Sequence, residues 1–478
     1  MESLDPVLGR DGWHLEIVSG PDHQYLLMNV LTHDYLKVSG RAYDLLSKSW
    51  GRSVDEAVRQ LTAEDGFEPA QLRSFFDKIV HLGFVLPDST GRDPVISRRV
   101  QEVWLHVTDR CNLACPMCYF QSDQGPSGDR CLPPAEMRRV IEIIATTGPQ
   151  QVVVSGGEPL LRLDLQELLG ELKERGLRVW LLTNGTLLTP DVARWLAGCV
   201  DRVSVSLDGT TAAVHEKMRG AGTFEAVLRG IKSLQAEGFA RIGIIPTIRR
   251  DNLTEIFDLD RFAETLRVTV DSRCLFTARG SAAFCREEYE VSMDDLIRAA
   301  NNEMWRRLRT GDDFRKAPTC EQTITDFVQP QLRRCGAGQE KLSVDVDGSL
   351  YPCQLLHERE FHLGNILNFQ DLNQLIRGPH ARRVARFTAD RADNVGACRA
   401  CDVRRFCGGG CVVSNVAEGL PLDQRPSYCS AIQQSYRVAV WEWRNNCSNA
   451  ENLVRFLEKM RQGESDARTS SPASSFAR

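Results

Sequence analysis

Six times between residues 101 and 311 a short apolar run is followed by a stretch with helical periodicity. The runs fall at 103–107, 151–155, 178–182, 202–207, 241–247 and 268–276, and the helical patterns at 135–147, 164–175, 190–198, 223–237, 254–265 and 292–309. In the second pattern Leu165, Leu168, Leu169 and Leu172 recur at the spacing that puts them on one helix face. Strand–helix alternation of this kind gives a parallel sheet with helices outside. Six units are too few to close an eight-stranded barrel, so the expected α/β fold is a partial (β/α)6, TIM-like barrel. Ligands of such folds collect at the carboxyl ends of the strands. Four segments lie just past strands one to four: Cys111–Cys118, Gly156-Gly157-Glu158-Pro159, Thr183-Asn184-Gly185 and Ser206-Leu207-Asp208-Gly209. They are expected to face one another across the barrel mouth.

The first of them carries three thiols, Cys111, Cys115 and Cys118, in a CxxxCxxC loop that Asn112 and Pro116 keep out of regular structure. Three thiolates can hold three corners of an iron–sulfur cube and leave the fourth iron open to an outside ligand. A three-cysteine zinc site completed from elsewhere is the alternative. The whole chain has 478 residues, which suggests about three domains, and a mild net charge of -5, which gives no nucleic-acid footprint. No run approaches the ~20 apolar residues of a spanning helix, and the N-terminus lacks the basic and apolar segments of a signal peptide. Sixteen cysteines without an export signal point to metal or catalytic work in a reducing cytoplasm.

Residues 1–98 read as a separate module. Tyr25–Asn29 and Tyr35–Val38 are expected as strands joined at Thr32-His33-Asp34, followed by three helices and a return strand at Phe84-Val85-Leu86. Ser53 and Glu56 form a capping box for the second helix, and Leu72, Phe75, Phe76, Ile79, Val80 and Leu82 give the third its apolar stripe before Gly83. The result is a winged-helix-like unit. It has no basic helix for DNA, and a strand edge that captures an extended peptide suits it better. The stretch Leu36-Lys37-Val38-Ser39-Gly40 and the helices after it resemble the PqqD-like peptide-recognition domain.

Cys111–Cys118 followed by Gly156-Gly157-Glu158-Pro159, each at a strand end, resembles the radical SAM superfamily over roughly residues 101–311. The order and placement of these motifs favour the cluster over zinc. The resemblance implies a SAM-binding 4Fe–4S cluster on Cys111, Cys115 and Cys118, with S-adenosyl-L-methionine chelating the open iron. Gly156, Gly157 and Glu158 would hold its amino group, Ser206 the ribose or carboxylate, and Arg219 the carboxylate. The family usually places an aromatic residue before the third cysteine; Met117 stands there and would pack near the adenine.

Further on, Cys335, Gly348, Cys353, Cys398, Cys401, Cys407, Cys411 and Cys429 follow spacings that resemble the SPASM domain, which carries auxiliary (twitch-type) 4Fe–4S clusters. A zinc ribbon is the alternative for the C-x2-C pair. The family pattern implies that Cys398, Cys401, Cys407 and Cys429 hold one auxiliary cluster and Cys335, Cys353 and Cys411 the other. Cys320 or a substrate thiolate would complete the second set. Cys131, Cys199, Cys274, Cys285 and Cys447 are read as buried or partly buried thiols. Residues 431–462 are expected to form a terminal helix, with a disordered Ser/Ala-rich tail from Ser465. The expected division is 1–98, 99–311, 312–450 (SPASM) and 451–478.

The assembly resembles maturases of ribosomally made peptides (RiPP maturation). It implies an oxidoreductase that abstracts hydrogen from a precursor peptide and installs a thioether or carbon–carbon crosslink. The leader would be gripped by residues 1–98, with a flavodoxin or ferredoxin as electron donor and neither nucleic acid nor membrane as partner. A formylglycine-generating sulfatase maturase is one alternative; its relatives carry an Asp base after the cysteine matching Cys353, and Gln354 stands there. A non-enzymatic iron–sulfur sensor on a winged-helix module is the other.

Overall fold

The computed structural model describes residues 15–29, 34–81, 99–120, 130–310, 332, 334–444, 447 and 451–460. Cys320, the turn residues Thr32 and His33, the return strand at Phe84–Leu86 and the tail from Ser465 lie outside them.

The N-terminal module has three antiparallel strands, not two: β1 (Leu15–Ser19), β2 (Gln24–Asn29) and β3 (Asp34–Ser39), in that order across the sheet. Helices Gly40–Ser49, Val54–Asp65 and Pro69–His81 cover one face. Ser53 Oγ accepts from Glu56 N at 3.3 Å and Glu56 Oε2 from Ser53 N at 3.0 Å, which completes the expected capping box. Ile17, Tyr25, Leu27, Leu36 and Val38 pack toward the helices. Val18, Leu26, Met28 and Tyr35 pack the other way, against Val403, Phe406, Val440 and Trp441. Both faces of the sheet are covered, so β2 reads as continuously apolar instead of alternating.

The central sheet has nine strands. β4 (Glu102–His106), β5 (Gln151–Ser155), β6 (Val179–Thr183), β7 (Arg202–Ser206) and β8 (Ile242–Ile245) are parallel neighbours in chain order, with β10 (Thr269–Val270) beyond β8. Helices Pro134–Thr147, Leu165–Glu174, Pro190–Cys199 and Thr223–Ala236 cover the outside, and an unanticipated helix, Ala212–Arg219, sits after β7. The sheet does not stop at the expected boundary near 311. β12 (Lys341–Val344) pairs parallel to β4, with Lys341 opposite Glu102, and β13 (Ser349–Tyr351) and β14 (Gly364–Asn365) extend it antiparallel. The cysteine-rich region is thus hydrogen-bonded onto the barrel edge.

The sixth unit departs from the pattern. Its apolar run divides into the two-residue β10 and β11 (Cys274–Leu275), and β11 pairs with β9 (Thr247–Ile248) in a sheet of their own. Helix Met293–Thr310 contributes Ile297 and Met304 to a cluster with Ala431, Ala439, Phe456 and Leu457. The expected single terminal helix is two, Cys429–Glu442 and one over 451–460. Asn452 breaks it: its amide accepts from Arg444 N at 2.8 Å and donates to Arg444 O at 2.9 Å, so side-chain bonds replace helical ones there.

Val103 and Leu105 join the helix-facing core, so Glu102, Trp104 and His106 face the barrel interior by alternation. A polar layer fills the amino-terminal half of that interior. Lys341 pairs with Glu102 at 2.8 Å, and Arg202 donates to Asp271 at 2.9 Å while stacking over Trp180. The carboxyl ends are left for the site.

Candidate active site

The CxxxCxxC loop follows β4 directly and turns at Cys115–Cys118, where Cys118 N donates to Cys115 O at 3.1 Å. Burial pushes the Cys111 thiol up, opposed by the Leu113 N–H, with Glu158, Cys115 and Cys118 adding to the rise. Cys115 is likewise raised by burial, with Arg219 pulling the other way. The three thiols therefore share one electrostatic neighbourhood. Among the described residues no group of three or more His, Cys, Asp or Glu is gathered tightly enough for a single metal ion. A cube, whose irons are spread over its corners, does not require that convergence, and three thiolates on one loop are a suitable donor set for it.

The Gly-Gly-Glu-Pro turn lies flat against this loop. Gly157 N donates to Thr108 O at 2.7 Å and Glu158 N to Arg110 O at 2.8 Å. A Cβ on Gly157 would stand 2.2 Å from Arg110 O, and Gly156 has φ 141° with a Cβ position 2.3 Å from Thr108 O. The glycines serve close approach to the chain's own backbone. Glu158 follows them in the turn. Its carboxylate is fully buried and accepts from Thr183 Oγ1 (2.7 Å), Asn184 N (2.7 Å) and Leu160 N (3.1 Å), so it braces the second strand end to the third. Burial raises its pKa against those three donors. Asn184, braced in this way, donates from Nδ2 to Asn112 Oδ1 at 2.8 Å and reaches Cys111 Sγ at 3.9 Å.

Arg219 Nε donates to Asp208 Oδ2 at 2.7 Å. Asp208 is fully buried, accepts from Thr247 N at 2.8 Å and lies 3.7 Å from Arg249. Burial works against its charge, yet the Arg219 and Arg249 guanidiniums outweigh that and hold Asp208 below the usual carboxylate range. Arg249 is wholly buried, pairs with Asp251 at 2.9 Å and approaches the Met117 sulfur at 3.8 Å. The sequence reading missed it; a charge directly after the apolar strand Thr247-Ile248 was the available signal. Met117 packs with Met218, Phe276 and Ala278, and Ser206 sits half-buried at the end of β7.

The later cysteines fall into two groups. Cys398, Cys401, Cys407 and Cys429 line one small cavity together with Tyr428 and Gly410. Cys335, Cys353 and Cys411 lie within electrostatic reach of one another, and burial pushes Cys353 up to about 12. Cys411, four residues after Cys407, lies within reach of Cys335 and Cys353, and its N–H donates to Tyr428 Oη at 2.9 Å on the wall of the four-cysteine cavity. Gln354 Oε1 accepts from Cys353 Sγ at 3.1 Å. Tyr119 links the regions: burial raises its hydroxyl, and the Cys274, Cys118 and Cys353 side chains lie within its electrostatic reach. Cys274, expected to be buried, has accessible surface. Phe120 stacks on His106 (centroids 4.6 Å apart), and His106 meets His357 of the cysteine-rich region edge-on at 5.3 Å.

The Radical SAM superfamily model matches residues 105–263, and the SPASM iron–sulfur cluster-binding domain model matches 335–402. The mycofactocin maturase MftC of Mycobacterium ulcerans is 32% identical over 336 residues, covering 68% of this chain and 86% of its own. An AdoMet-dependent heme synthase of Methanosarcina barkeri is 30% identical over 347 residues, covering 68% and 94%. Among solved structures, Streptococcus suis SuiB bound to S-adenosylmethionine aligns with TM-score 0.53 at 17% identity, over 88% of this chain and 99% of its own. That span exceeds what residues 99–478 can supply, so the fold likeness takes in part of the N-terminal module. The chain belongs to the radical SAM superfamily, as an enzyme with a SPASM domain whose cofactors are 4Fe–4S clusters and S-adenosylmethionine.

Proposed function

We propose that this enzyme is a maturase of a ribosomally made precursor peptide that installs a crosslink, thioether or carbon–carbon. The observation that carries the reading is a groove on the N-terminal module, between Leu36 of edge strand β3 and the helix face Ala70, Arg73, Ser74, Asp77 and Lys78. A strand edge that is unpaired among the described residues, beside a helix, suits an extended peptide, because main-chain bonds give affinity and alternate side chains enter the groove. MftC is a maturase by its name, and SuiB has been solved with its precursor peptide SuiA.

When bound, the cluster and S-adenosylmethionine would supply radical hydrogen abstraction, with a flavodoxin or ferredoxin as the proposed electron donor. The rest falls to this chain's residues. Cys111, Cys115 and Cys118 would hold the cluster, with Asn184 positioned to donate toward the Cys111 sulfur. Gly156 and Gly157 seat the turn against the loop, Glu158 fixes it to Asn184, and Asp208 holds Arg219 and Arg249 in place beneath Met117. Ser206 and Met117 remain the proposed cofactor contacts. Cys335, Cys353 and Cys411, near Tyr119, would hold an auxiliary cluster, which would supply a one-electron acceptor. Cys320 or a substrate thiolate would be that cluster's remaining ligand. We place the reaction in a reducing, cytoplasmic setting because the chain is rich in cysteines read as cluster ligands; among the described residues no helix is long and apolar enough to cross a membrane.

The heme synthases among the relatives favour a second reading, a tetrapyrrole substrate. It gives the N-terminal groove no task. A sulfatase-maturase reaction lacks its base, since an amide stands at Gln354. Ala70 is exposed on the groove wall, so Ala70→Trp should fill the groove without disturbing the core. Binding of the precursor encoded beside the gene should weaken roughly tenfold or more by fluorescence anisotropy. Unchanged binding would sink the groove assignment.

A further inference from the structure

The outer face of the N-terminal sheet is spent on one particular neighbour. Glu16 pairs with Arg404 at 2.8 Å and with Arg405 at 2.6 Å. Tyr35 meets Phe406 edge-on at 5.2 Å, and Leu26, Met28, Val403 and Phe406 are all fully buried in the same cluster. Lys37 Nζ donates to the carbonyls of Val440 (3.2 Å) and Trp441 (3.1 Å), near the end of helix Cys429–Glu442. A Cβ on Gly20 would stand 2.3 Å from the Trp441 ring.

Every one of those partners sits on the segment that carries Cys398, Cys401, Cys407 and Cys429. Val403, Arg404, Arg405 and Phe406 lie between Cys401 and Cys407, and Val440 and Trp441 are on the helix that Cys429 begins. The local structure there is two four-residue helices, Gly396–Arg399 and Arg404–Cys407. Helices this short have no stability of their own. Buried Arg391 braces the segment through Gly409 O (2.9 Å) and Asn415 Oδ1 (3.0 Å), and whatever the four thiols hold adds to this, because ligand binding at such a site is itself folding free energy.

We infer that the four-cysteine auxiliary cluster is the seat of the peptide-recognition module, apart from any electron transfer. The cluster folds the surface on which β1–β3 dock, and docking in turn protects the cluster, since linkage is reciprocal. Glu16, Tyr35 and Phe406 are then positioning residues for the substrate: they hold the leader's groove at a set place relative to the barrel. The inference rests on reading residues 15–81 as the peptide module and the four thiols as cluster ligands.

The test is made on anaerobically reconstituted full-length chain. In the Cys401→Ser/Cys407→Ser variant, hydrogen-exchange protection of β1–β3 amides should fall roughly tenfold or more while that of β5–β7 is kept. In the reverse direction, Glu16→Ala/Lys37→Ala leaves all cysteines intact and should speed release of roughly one third of the iron to a ferrous chelator severalfold. If the cysteine variant also loses β5–β7 protection, the iron-release rate decides alone. Unchanged iron release, or unchanged β1–β3 protection with β5–β7 intact, overturns the inference. Neither measurement contains a peptide, so a failure of the peptide reading leaves both results standing.

Discussion

Replacing Asp208 with alanine is expected to destabilise the chain by about 3–5 kcal/mol, the usual cost of removing one partner from a buried charge group. Asp208 is fully buried, bonds Arg219 at 2.7 Å and lies 3.7 Å from the equally buried Arg249. Without it two guanidiniums face each other with no carboxylate between them. Of its two carboxylate partners Arg249 keeps Asp251, and Arg219, which lies within electrostatic reach of Cys115 and Cys118, is released toward the cluster loop. S-adenosylmethionine cleavage should therefore fall with stability. Because the folded-state pKa of Asp208 lies below its unfolded value, its contribution is present above about pH 4 and is lost as pH falls through the folded value. Urea unfolding of Asp208→Ala at neutral pH within about 1 kcal/mol of the parent would show that the three-residue network carries little.

Cys115→Ala should give no detectable 5′-deoxyadenosine, while the bound iron falls only from about twelve to about eight per chain. The thiol stands in the loop after β4, where burial raises it against the pull of Arg219; the nearby Cys285 Sγ donates to Pro116 O and Ala282 O, each at 3.5 Å, and does not take its place. Cys398→Ala should do the opposite. It removes a thiol of the distant cavity and leaves cofactor cleavage measurable, uncoupled from peptide modification. Equal loss of cleavage in both variants would contradict the division of labour between the clusters.

The parts legible in the sequence were those written in local spacing: the strand–helix period, the capping box at Ser53, and the thiol and glycine motifs at strand ends. The illegible parts depend on partners far along the chain. Glu158 reads as a free carboxylate after two glycines; only the fold brings Thr183 and Asn184 to it. Arg219 reads as a lone cation until Asp208 meets it across a turn. Lys341–Val344 is a short run whose place beside β4 no local pattern gives, and the helix expected at 292–309 forms but packs against the C-terminal helices. The break at Trp443 came from Asn452 bonding Arg444, a side-chain choice that helical periodicity does not register.

The central claim is tested most directly by incubating the reconstituted enzyme anaerobically with dithionite, S-adenosylmethionine and the precursor peptide encoded beside its gene, and reading both products by mass spectrometry. The expected result is 5′-deoxyadenosine together with a peptide lighter by two hydrogens per crosslink, with the bond located by fragmentation. No 5′-deoxyadenosine, or 5′-deoxyadenosine with an unaltered peptide and consumption of a tetrapyrrole offered in its place, would contradict it.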